Sequence, residues 1–270
     1  MTWYYLRASG LAMTAFVFAH LFIMHYQRPP TATDAAFVAG RWSGPGWRAF
    51  DGALLVLALT HGVAGAHGVL RPRVPRGAPR AALDAGAAAG LGAFAALGGW
   101  AVLAGPRASG PFSGATWIPS VLLAALTAAA ALTYAAAVAA AGVVCARLAL
   151  RLPLGRWVYP GQWVFSLGRV AGVGVLGFLC VHIVDVALVP AAPDLYDRTV
   201  RGYAAPLLVP MEAALVAAVV YHALNGLRLM ALEALDVRAS RALTPSFVLV
   251  VVLTLLLALP SLAVLLASQR

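Results

Sequence analysis

Four histidines stand in a frame that the chain uses twice. Arg7-x2-Gly10-x9-His20 recurs as Arg169-x2-Gly172-x9-His182, and His61-x3-Gly65-x-His67 recurs as His222-x3-Gly226-x-Arg228. The interval between the two histidines is 41 residues in the first copy and 40 in the second, so the chain reads as two related halves. All four lie inside long apolar runs, where an imidazole is costly unless it has a partner. Iron ligation supplies one cause for all four, because a neutral imidazole is a good iron ligand and a bis-histidine haem takes one on each side. A histidine from each half, gripping a haem between helices, meets that need.

Equivalent positions pair naturally: His20 with His182, and His61 with His222. At 1.5 Å per residue, His20 lies about 12 Å from the end of its run near Arg28, and His182 about as far from Pro190. His61 lies about 15 Å from Arg71 at the opposite end, and His222 roughly 9 to 16 Å from Arg228 and Glu233. Two levels result, and two b-type haems are expected. Gly65 and Gly226 fall one turn beyond their histidines on the same helix face, where a side chain would collide with a flat macrocycle. His67 and Arg228 lie further along, placed to meet haem propionates, and Arg7 and Arg169 sit near the same membrane surface. His25 has no counterpart, since Ala187 takes the equivalent place. It reads as a polar contact at the interface and remains the rival to His20 as ligand. For any single one of these histidines the ordinary alternative is a hydrogen bond to a neighbouring helix.

The elements that must hold them follow from composition. Apolar residues make up 62% of the 270 residues, charged residues 10%, and the mean hydropathy is +0.87, which is membrane composition. Apolar runs at 7–27, 49–70, 82–105, 117–147, 163–189, 206–232 and 245–267 predict seven spanning helices, separated by clusters of Pro, Gly, Arg and Asp. The fold expected is an all-α integral membrane protein. Residues 1–110 form one three-helix half and 157–270 the other. Two parallel halves of three spans cannot be joined directly, so the alanine-rich run within 111–156 supplies a return crossing.

The net charge of +10 comes from arginines at the ends of apolar runs, with lysine absent, which argues for membrane topology and against nucleic acid. With the N-terminus cytoplasmic, twelve arginines lie inside and seven outside, favouring that orientation in a bacterial-type cytoplasmic membrane. The first run lacks a cleavage site and reads as a retained span. Cys145 and Cys180 have no metal-ligand spacing and read as buried thiols.

Several segments resemble a known family. Ser166-Leu-Gly-Arg169-Val-Ala-Gly172, His182-Ile-Val-Asp185 and Tyr221-His-Ala-Leu-Asn-Gly-Leu-Arg228 resemble the larger cytochrome b anchor of succinate dehydrogenase, complex II. Arg7-Ala-Ser-Gly10, His20-Leu-Phe-Ile-Met-His25 and His61-Gly-Val-Ala-Gly65 look like its smaller anchor. The resemblance covers roughly residues 3–75 and 160–235 and implies two anchors fused, the small one first.

It also implies partners: a flavoprotein with FAD that oxidises succinate, and an iron–sulfur subunit that passes electrons to this chain and on to a membrane quinone. Two stacked haems suit menaquinone, and a single one ubiquinone. The arginine matching Arg169 lines the family's quinone pocket, which implies Ser166 and Arg169 as donors with Trp163 and Arg7 close by. Departures lie at Gly168, where the family commonly has histidine, and at Pro72 and Arg73, where it has an Asp-Tyr pair. A homotrimer of the whole complex fits the family. The competing readings are a dihaem anchor of formate- or nitrate-reductase type, a b561-like protein, and a repeat-built transporter with histidines as a proton relay.

Overall fold

Uncharged runs of this length in hydrocarbon must satisfy their own backbone, and helix does so within one segment. The structure, a computed structural model, describes residues 2–28, 32–105, 160–203, 205, 208–236 and 239–267; side chains at 2, 160–163, 165–166 and 239–244 are not among those described. The run 117–147, expected as a seventh span, lies outside the described residues, as does Cys145.

Eight helices run through the described residues. α1 (Thr2–Leu21) continues as a π-helical turn (Phe22–Tyr26), and α2 (Ala35–Ser43) leads to α3 (Pro45–Leu70), which closes in a 3₁₀ turn. α4 (Ala78–Ala104) ends the first set. The second comprises α5 (Pro160–Ala191), α6 (Pro193–Gly202), α7 (Leu208–Ala234) and α8 (Ala239–Ala267). Six of them are long and apolar enough to cross a membrane, each overlapping a span expected from sequence. Each set runs long, short, long, long.

The short helices α2 and α6 stand where the sequence reading placed only loops. Nine or ten residues make too short an apolar run to notice, and local chemistry starts them. The Asp34 carboxylate accepts the Phe37 N–H at 2.8 Å at the head of α2, and Pro193 opens α6. Tyr196 and Val200, one turn apart, give α6 its single buried face.

α1, α3, α5 and α7 close a ring, each packed on the next. The third long helix of each set lies outside it: α4 packs on α3 and α5, and α8 packs on α7 and touches the π turn after α1. There the Tyr26 hydroxyl donates to the Leu257 carbonyl. The main buried cluster joins Leu97 and Ala101 of α4 to Ile183, Val184 and Ala187 of α5. Gly98 permits the approach, since a Cβ there would lie 2.8 Å from Leu55 Cδ2. Outward, α8 presents Leu249, Leu255, Leu256 and Leu259, as a helix facing lipid does.

At the end away from the N-terminus, α2 and α6 pack together, and the Ala35 N–H donates to Asp197 Oδ1 at 2.8 Å. Burial, reinforced by Asp185, raises the pKa of the Tyr203 hydroxyl, which hydrogen-bonds the Asp185 carboxylate. Burial likewise pushes Tyr196 up to about 12.

Candidate functional site

Each helix of the ring contributes one histidine to its interior. His20 sits on α1, His61 on α3, His182 on α5 and His222 on α7. The His20 and His182 rings meet edge-on, with centroids 6.1 Å apart and planes at 79°. The His61 and His222 rings stand 6.4 Å apart at 82°. A metal–imidazole bond is about 2 Å and the ring radius adds about 1 Å, so two imidazoles on one metal have centroids roughly 6 Å apart. Both pairs stand at that separation.

Hydrogen bonds fix how two of the rings are presented. His222 Nδ1 lies 3.2 Å from the Gly168 carbonyl, which only accepts, so Nδ1 carries the proton and Nε2 keeps its lone pair. His61 Nδ1 lies 3.0 Å from Ser9 Oγ, whose own hydroxyl donates to the Tyr5 carbonyl at 2.6 Å. Ser9 therefore accepts from His61, and Nε2 again keeps its lone pair. Such a partner on the other ring nitrogen is how ligating histidines are ordinarily held. His20 Nδ1 is buried without a hydrogen-bond partner.

The repeated glycines take on separate roles. A Cβ at Gly172 would lie 2.8 Å from His222 Cε1, and one at Gly10 would lie 3.3 Å from His61 Cε1. The first glycine of each frame thus makes room for the imidazole on the following ring helix. At Gly65 and Gly226 an added Cβ would meet nothing within 4 Å, which leaves those faces open to a flat group. The separation within each pair, the Nδ1 partners of His61 and His222 and the bare helix faces one turn away together fit haem.

The other residues singled out from sequence have these neighbours. His25 Nδ1 lies 3.4 Å from Glu212 Oε1. His67 Nε2 lies 2.6 Å from Asp84 Oδ1, which also accepts from Arg71 Nε at 3.1 Å. Arg228 is buried, its Nε donating to Ser246 Oγ at 2.8 Å and its Nη1 to Asn225 Oδ1 at 3.4 Å. Arg7 forms an ion pair with Glu233 and lies 3.2 Å from the centroid of the Trp3 ring. Arg169 lies on α5 within electrostatic reach of Arg73. The side chains of Trp163 and Ser166 lie outside those described.

Two features escaped the sequence reading. Ser9 could not be flagged by the repeat, because its counterpart is Ala171. The other is a buried cluster beside His20: Arg41, with 5% of its side chain exposed, donates from Nη2 to Asp51 Oδ1 at 2.8 Å. Trp42 Nε1 donates to Asp51 Oδ2 at 2.9 Å, and the guanidinium lies 4.2 Å from the Trp47 ring centroid.

Fold and site together define the class: an all-helical integral membrane protein with paired imidazoles inside its helix ring. Residues 146–259 match the model of the succinate dehydrogenase/fumarate reductase transmembrane subunit family. The chain is 38% identical over 74 residues to the "Succinate dehydrogenase 2 membrane subunit SdhC" of Mycobacterium tuberculosis. That stretch is 27% of this chain, which spans about half of the relative, 54% of its length. No solved structure matches the chain. These findings bear out the resemblance to a succinate dehydrogenase cytochrome b membrane subunit that the motifs carried.

Proposed function

We propose that the chain is the membrane anchor of a succinate dehydrogenase, built from a small and a large anchor fused end to end, and that it holds two b-type haems. The observation that carries this is the two imidazole pairs, with ring centroids 6.1 and 6.4 Å apart, in a chain whose second half matches the transmembrane-subunit family. His61 and His222 would ligate the haem nearer the N-terminal face, and His20 with His182 the other. When bound, the haems supply one-electron transfer at potentials set by axial ligands and burial. The residues present the Nε2 lone pairs, keep Nδ1 protonated through Ser9 and Gly168, and exclude water by ringing the site with apolar helices.

The N-terminal face is proposed as cytoplasmic. Electrons would enter there from an iron–sulfur subunit, supplied by succinate oxidation at a flavoprotein, and leave on a membrane quinone. Menaquinone is favoured, because two levels of paired histidines span the bilayer. Arg169, with Ser166 and Trp163 on the same helix, is the proposed quinone contact; Arg7 serves first to tie α1 to α7 through Glu233. A dihaem anchor of another respiratory complex would share the histidine pairs but not the family match.

Affinity purification through this chain from its own membrane tests the reading. Flavin-containing and iron–sulfur polypeptides should co-purify, with b-type absorbance that succinate reduces. A colourless preparation, or haem with a molybdenum-type partner, would refute it.

A further inference from the structure

A pocket of about 1080 Å³ opens between α3 and α4 at the membrane face that carries the N-terminus. Arg71, Arg76 and Arg80 stand at its mouth, and Val63, Ala87 and Leu91 line its wall. From Arg80 to Leu91 the helix climbs roughly 16 Å into the apolar zone. Charge at the mouth is one-sided. Its acid, Asp84, is already engaged by His67 and Arg71. Arg80 donates from Nη2 to the Val74 carbonyl at 2.7 Å, while its buried Nε has no partner.

Arg7 meets Glu233, whereas Arg76 and Arg80 of the first half have no acid beside them in this pocket other than Asp84. Several guanidiniums at a membrane surface, above an apolar trough, are complementary to a phosphodiester with an acyl chain. A neutral quinone carbonyl needs one donor and gains little from such a cluster.

We propose that this pocket holds an anionic phospholipid, its phosphate on Arg76 and Arg80 and one acyl chain along Val63, Ala87 and Leu91. The full chain, stripped of lipid by detergent exchange, is titrated with phosphatidylglycerol and with phosphatidylcholine, and bound lipid is read by native mass spectrometry. Phosphatidylglycerol should bind at least about tenfold more tightly. R76Q/R80Q should abolish that preference and R76K/R80K keep most of it. Ala88→Trp, which fills the trough with the charges intact, should weaken phosphatidylglycerol binding. Equal binding of the two lipids by the unaltered chain overturns the proposal, as does a preference that survives R76Q/R80Q or Ala88→Trp. Displacement of the lipid by millimolar inorganic phosphate would assign the mouth to a free anion, and displacement by menaquinone to the quinone; either also overturns it.

Discussion

At the residue scale, a hydrogen-bond partner on one ring nitrogen fixes how a histidine presents the other. Ser9 and the Gly168 carbonyl supply that partner for His61 and His222. Ser9→Ala should therefore weaken haem binding at this pair by about 10- to 100-fold, read as haem lost on dilution, while the other pair keeps its own. Retention equal to the unaltered chain would remove Ser9 from the site. Gly172→Ala would press a Cβ against an imidazole that is already pinned, at a cost of about 1–3 kcal/mol. Gly10→Ala, with 3.3 Å to the ring, should cost less. Haem content of the two variants, compared side by side, checks the order. The histidines and glycines were legible because the chain repeats them. Ser9 was not, since only one half uses a hydroxyl and the other uses a backbone carbonyl that no side chain announces.

At the scale of elements, hydrophobic length was enough to find six long helices, because lipid forces each span to be apolar throughout. Their ends were less legible: α3 begins at Pro45, ahead of the apolar run, because proline starts a helix well and the interface tolerates Trp47 and Arg48. The short α2 and α6 were invisible to that criterion, yet α2 carries the Arg41 and Trp42 that clasp Asp51. Breaking such a buried pair leaves an uncompensated carboxylate. Arg41→Gln should destabilise the chain by about 3–5 kcal/mol, and adding Asp51→Asn should recover part of the loss. Thermal unfolding in detergent reports both, and an unchanged midpoint in Arg41→Gln would contradict the packing described.

At the scale of the whole molecule, the third long helix of one set leans on the first helix of the other, and Arg7 with Glu233 joins the sets at the opposite face from Ala35 with Asp197. This crossing places equivalent histidines opposite one another, which sequence could suggest through the repeat but not through any local signal. The central claim is that each facing pair holds one iron. Haem per polypeptide, measured by pyridine haemochrome on the purified chain and its variants, tests it most directly. The unaltered chain should hold two haems, and His61→Ala and His222→Ala should each hold one. The double variant should hold one as well, while His61→Ala combined with His20→Ala should hold none. Two haems surviving in His222→Ala, or a double variant of one facing pair that loses both, would contradict the account.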